Sequence, residues 1–184
     1  MNRLQSIKHD HSLKVFRKRA RKVAFPHAFV DFSRAETLGY ILNVGQINAE
    51  DLVFFVKHLQ QLEGLGKKVV VVELNLQRDA SPMFTTSIES IFVSSSQINW
   101  LDFPSVSVLK AINAARIDIL FNLDTSNRMT SRFISGLSNA RMRVGRHESE
   151  TEGFYELMVQ FPAGSTLQEI LDASETFTNK LEKK

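Results

Sequence analysis

A Rossmann-like α/β fold, a three-layer sandwich around a mostly parallel sheet of five or six strands, is what this sequence predicts. Three observations carry that expectation. Largely apolar runs at residues 37–44, 69–74 and 117–123, the second of them nearly unbroken and the third carrying Asp118 and Asn122, have the character of strands covered on both faces. The segments that follow them place apolar residues at helical spacing. Strands and helices then alternate along the chain, with no internal repeat or low-complexity tract, which is the order of a doubly wound sheet.

The bulk properties fit. A chain of 184 residues suits one domain and buries ~70% of its unfolded surface. Cysteine is absent, so disulfides, thiol catalysis and cysteine-rich zinc sites drop out together. The five histidines (His9, His11, His27, His58, His147) form no ligand-like cluster with carboxylates, and neither a metal nor a cofactor is expected. No signal-peptide stretch follows the basic N-terminus, and the apolar runs fall far short of a membrane span, so a cytoplasmic protein is expected. Residues 1–22 carry eight basic side chains against the one acid Asp10, which leaves residues 23–184 at net −4 although the whole chain is +3. The basic character therefore belongs to the leader.

The elements follow in order. Residues 12–24 predict an amphipathic helix with Leu13, Phe16, Ala20 and Val23 on one face. Lys14, Arg17, Lys18, Arg21 and Lys22 cover the rest, and Pro26 ends it. The division expected is a leader over 1–26 and a single α/β domain over 27–184. After strand 37–44 the chain turns at 45–48 into a helix over 49–63, whose acids Glu50 and Asp51 suit its positive end and which Gly64 and Gly66 stop. Strand 69–74 completes a βαβ unit and is interrupted only by Glu73.

A short helix within 82–89 and a third strand at 91–93 are expected next, then a packed loop over 97–104 containing Trp100, Leu101 and Phe103. A helix over 105–115 leads to strand 117–123, and a helix over 129–139 leads to a short strand at 141–145. An acidic loop through Glu152 reaches the last strand, 155–161, which Pro162 and Gly164 break. Ser165 with Gln168 and Thr166 with Glu169 both offer capping boxes for a final helix ending near Lys180.

A dinucleotide site needs a glycine-rich turn after the first strand, so that backbone amides reach a pyrophosphate. Here that turn holds Gly45 alone, which argues against nucleotide binding. Ligands of such sheets bind beyond the carboxyl ends of strands where strand order reverses. If strands 37–44 and 117–123 are neighbours, the turns 45–48 and 124–127 meet there. Gly45, Asn48, Asp124, Ser126 and Asn127 are then the candidate ligand residues, with Asp124 as base or hydroxyl acceptor and Asn48 and Ser126 orienting the ligand. The plainer reading has Asp124 or Thr125 capping the next helix. Arg141, Arg143, Arg146 and His147 form a second basic group, suited to an anion or, more simply, to an edge strand protected by charge.

Asn99-Trp100, the run from Asp118 to Asp124, and Ser138-Asn139-Ala140-Arg141-Met142-Arg143-Val144-Gly145-Arg146 resemble a bacterial family of uncharacterised short proteins over most of the chain. That resemblance supplies no activity. The apolar strand ending in Asp124, its small polar turn and the following Ala-Arg-x-Arg-Val-Gly strand also resemble the N-terminal half of heptosyltransferase-type glycosyltransferases. This likeness implies the fold of one of two facing Rossmann domains. The chain departs from it in having Gln46 and Asn48 where that group carries an acid, and in a length that leaves no room for a donor domain; glycosyl transfer is not expected.

Two functions stay open. One is a non-catalytic binding or adaptor module docked through Lys14, Arg17, Lys18, Arg21 and Lys22, at the inner face of an anionic membrane, on RNA or on a protein partner. The other is a small-molecule-binding or transferase-like domain using the cleft near Asp124. A buried, unpaired polar group beside Asp124 would favour the second. For the leader, the plain alternative is that its apolar stripe packs on the domain's own sheet.

Overall fold

The computed structural model describes residues 3–23, 28–84, 88–126, 128–151, 153–162 and 164–180. Pro26, His27, Asn127 and Glu152, on which parts of the sequence reading rest, lie outside them, as does the proposed boundary at 26/27. The chain runs α1 (Arg3–Ala20), β1 (Thr37–Asn43), α2 (Ala49–Gly64), β2 (Lys68–Asn75), β3 (Glu89–Ser94), α3 (Val106–Ala114), β4 (Ile119–Asn122), α4 (Met129–Leu137), β5 (Met142–Arg146), β6 (Leu157–Val159) and α5 (Leu167–Lys180). The sheet order is β3-β2-β1-β4-β5-β6, and every pairing is parallel. β1, β2 and β4 are interior strands, as their apolar character required. Strand order reverses between β1 and β4, the switch point of a doubly wound sheet.

Alternation along the strands sorts the core into two layers. Leu38, Tyr40 and Leu42 of β1 and Phe121 of β4 face α2 and α5, meeting Phe55, Leu59, Ile170 and Leu171. Ile41, Val70, Val72 and Leu120 face the other way, toward Val108 and Ile112 of α3 and Ile134 of α4. Glu73, fully buried on β2, accepts the backbone N–H groups of Met83 (2.7 Å) and Phe84 (3.3 Å). That carboxylate holds residues 81–84 in an irregular loop where a short helix was expected; residues 85–87 lie outside the described set.

α1 departs most from expectation. It begins at Arg3, nine residues before the predicted start at 12, and lies outside α4 rather than on the sheet. Leu13, Phe16 and Ala20 are buried against Met129, Phe133, Leu101 and Phe103. Gly136 permits this approach: a Cβ there would sit 2.5 Å from the Phe16 ring. α4 is thus covered on both sides, and all eight residues from Met129 to Gly136 are buried, including Thr130, Ser131 and Arg132.

The edge-strand reading of 141–145 is corrected. β5 lies between β4 and β6, and β3 and β6 form the edges. Arg143 is buried, its Nε and Nη2 donating to Glu156 (3.1 and 2.8 Å) and its Nη1 to the Gly136 carbonyl (3.1 Å). Arg141 stays exposed on the sheet's N-terminal edge and pairs with Asp118 at 3.1 Å. Trp100 is also not a packing residue: Leu101 and Phe103 are buried, but Trp100 is 71% exposed.

Candidate functional site

The switch point places the end of β1 beside the turn that follows β4. Asn43 Nδ2 donates to Ser126 Oγ at 3.0 Å. Ser126 in turn gives Asp124 Oδ1 both its hydroxyl and its backbone N–H, the latter at 3.1 Å. Asp124 therefore closes its own turn two residues on. It does not cap α4, whose N-cap is Arg128 and carries no side-chain cap hydrogen bond. One oxygen of Asp124 is so used. The other, Oδ2, is buried and has no hydrogen-bond donor among the described residues.

Asp124 also lines a void of about 10 Å³ with Asn122, Arg132, Arg146, Glu148 and Tyr155. Arg132, on α4, is buried between the carboxylates of Glu148 and Glu150 and donates to Glu150 at 2.7 Å. His9 of α1 contacts the same Glu150 at 3.1 Å, so the leader and the wall of this void share one polar network. The hydrogen bond from Arg132 holds the Glu150 carboxyl below its ordinary range, with His9 adding to the effect.

On the open side of the switch point lies a cleft of about 100 Å³ whose polar lining includes Asn43, Gln46, Asp51, Thr125, Ser165 and Thr166. Two helix N-termini reach it, and each is capped by its own residues. Asn48 Oδ1 accepts from Asp51 N (2.8 Å) at α2. At α5 the predicted box forms, Thr166 N donating to Glu169 (2.8 Å) and Glu169 N to Thr166 Oγ1 (3.2 Å).

The sequence-predicted residues divide accordingly. Asp124 and Ser126 come together, joined by Asn43, which sequence reasoning did not single out although it is a polar residue at the end of an apolar strand. Asn48 spends its side chain on the α2 cap, and Gly45 shapes its turn, where its carbonyl accepts from Gln77 (3.2 Å). Asn127 lies outside the described residues. Lys14, Arg17 and Lys18 are exposed on α1, and Arg21 and Lys22 are exposed in the turn directly after it. Among the described residues, no group of three or more His, Asp or Glu side chains is placed to hold a metal ion. No described helix is long and apolar enough to cross a membrane.

A second polar cluster lies away from the switch point. Tyr40 donates to Glu175 at 2.8 Å, and His58 meets the same oxygen at 2.9 Å. Burial pushes the Tyr40 phenol well above its ordinary value of 10.0, and the Glu175 carboxylate adds to the shift. Burial likewise raises Tyr155, the chain's other tyrosine. Both phenols stay protonated in the folded state where the unfolded chain ionises them. Their contribution to stability is thus complete below pH 10 and is lost as pH rises toward the folded-state values. An absorbance titration should show less phenolate at pH 10 in the folded chain than in the unfolded one, with Tyr40 ionising only as the chain unfolds; equal ionisation of folded and unfolded chains at pH 10 would contradict this packing.

A model of a family of unknown function (DUF6913) matches residues 8–173, and the chain belongs to that family. The match agrees with the resemblance to uncharacterised short proteins seen in the sequence. No curated protein matches the chain. Among solved structures, the chain is similar to E. coli heptosyltransferase WaaC with ADP, at 13% identity and a TM-score of 0.47. That likeness covers 78% of this chain and 46% of the transferase, so the chain spans less than half of that protein's length.

Proposed function

We propose that this member of a family of unknown function is a binding module whose small-molecule site is the β1–β4 switch point, with Asp124 as the principal acceptor. The buried Asp124 Oδ2, which has no donor among the described residues, is the observation that carries the proposal. A buried acceptor left unsatisfied costs about 1–3 kcal/mol, more when charged, and a ligand donor reaching it recovers that free energy. The position, beyond the carboxyl end of a strand where strand order reverses, is where open α/β sheets bind ligands.

Asp124 lines the small void, and its chain neighbours Leu123 and Thr125 line the open cleft. A ligand seated in the cleft therefore reaches Oδ2 only by a donor directed past this turn, and the chemistry around the cleft narrows the ligand class. Helix N-termini favour anions. Here they carry Glu50 and Asp51 in the first turn of α2 and Glu169 in that of α5, and one first-turn N–H group of each helix is already engaged by a capping side chain. Those acids repel a phosphate. A neutral or cationic ligand rich in donors, a polyol or an amine, fits better.

Calorimetric titration with panels of neutral polyols, amines and nucleotides tests the reading. Members of the first two classes are expected to bind, and Asp124→Asn, which keeps the shape and removes the charge, is expected to weaken them about 10- to 100-fold. Undiminished binding to Asp124→Asn, or a clear preference for nucleotides, would sink it. The exposed cationic side of α1 supports a docking role alongside ligand binding, and its partner is a separate question.

A further inference from the structure

Packing has divided α1 into two faces with different fates. The stripe of Leu13, Phe16 and Ala20 is consumed by the domain, so it is not available to any partner. On the opposite side, Leu4, Ile7, His11, Lys14 and Lys18 follow one another at alternating spacings of three and four, which sets them in one row along the helix. Arg17, Arg21 and Lys22 flank its C-terminal half, and all of these side chains are exposed. The N-terminal half is different in kind: Leu4 is 74% and Ile7 58% exposed. Trp100 joins them from the loop before α3, its ring stacked on His11 with centroids 6.4 Å apart. Exposed aliphatics, a tryptophan and a cluster of lysines and arginines thus share one surface, while the body beyond residue 22 is net negative.

We infer that this outer face of α1, with Trp100, docks the protein on an anionic lipid surface. Charge complementarity supplies the attraction, since each basic residue close to an anionic leaflet raises partitioning roughly five-fold. The apolar members decide between lipid and nucleic acid. A polyphosphate would pair with the cations and leave Leu4 and Ile7 in water. A bilayer covers them with acyl chain and seats tryptophan at its interface. The helix itself stays packed on α4, so the contact is peripheral. This inference is independent of the Asp124 site and stands or falls without it.

Trp100 is the chain's single tryptophan and therefore reports directly on the contact. The full chain is titrated with vesicles of equal parts phosphatidylglycerol and phosphatidylcholine, and with vesicles of phosphatidylcholine alone. With the anionic vesicles the Trp100 emission should move to the blue and the protein should co-sediment; with the neutral ones neither should occur. Lys14→Gln, Lys18→Gln and Lys22→Gln together should weaken partitioning roughly 100-fold. Leu4→Ser with Ile7→Ser should weaken it and shrink the blue shift. All five positions are exposed, and unchanged circular dichroism and thermal midpoints confirm that each variant is folded. Absence of co-sedimentation with anionic vesicles, or equal binding to neutral ones, overturns the inference. So does binding to single-stranded RNA that matches the vesicle affinity and survives the Leu4→Ser, Ile7→Ser change, an outcome that assigns the face to nucleic acid.

Discussion

Phe16→Ala is expected to remove about 3–5 kcal/mol of folding stability, a large share of what a domain of this size possesses. The ring is fully buried and edge-on to Phe133 at 5.0 Å, with Phe154 at 4.7 Å on another side. Truncation leaves a cavity bounded by α4, which cannot collapse because its other side already packs on the sheet. Gly136→Ala acts in the same direction from across the contact, since the added methyl group overlaps the Phe16 ring. Urea denaturation gives the measurement. A loss below 1 kcal/mol for Phe16→Ala would mean that α1 is detached in solution. The same packing makes removal of residues 1–22 a destabilising change, because it bares Met129, Phe133 and Phe103. A docking role for the leader therefore has to be tested on its outer face and in the full chain.

The sheet was legible because its strands are covered on both faces. Such strands need no alternation, and the apolar runs at 37–44, 69–74 and 117–123 stand out without any knowledge of their partners. Helices α2, α3 and α5 were legible for the complementary reason, each burying one stripe. The failures share a different cause. Residues 3–11 show little periodicity, and the helix there is fixed by contacts far along the chain. Lys8 pairs with Asp102, His9 with Glu150, and Ser12 donates to the Leu101 carbonyl. The polar residues of α4 are buried by contacts distant in sequence, Arg132 between Glu148 and Glu150 and Thr130 on the Asp102 carbonyl, while α1 covers Met129 and Phe133. Of the site, Asp124 and Ser126 were found because they lie within two residues of each other after a clear strand. Asn43 and Arg132 were not, since the sheet order and the packing of α4 bring them in.

Arg143→Ala is the second large effect, expected to cost about 3–5 kcal/mol. The sequence offered Arg143 as a surface charge. In the fold it is 4% exposed, on the α4 side of β5, and Glu156 is also largely buried. Both oxygens of Glu156 accept from the guanidinium, and Oε2 takes the backbone N–H of Arg143 at 2.6 Å as well. Alanine removes the fork and leaves the carboxylate with its desolvation no longer offset by a buried cation. Lysine keeps the charge but not the planar fork or the reach to the Gly136 carbonyl, so Arg143→Lys should retain only part of the stability. Arg143→Met combined with Glu156→Gln should recover most of the loss, since it removes both charges together while the amide still accepts the Arg143-position N–H. Chemical denaturation of the three variants separates the contributions. The structural consequence should be local, because β6 has three residues and pairs with β5 alone. Glu156 stands just before β6, so losing its partner should speed amide exchange at His147, whose N–H donates to Val159 across that pair. A variant as stable as the parent, with unchanged exchange at His147, would show that the buried pair does not hold this edge of the sheet.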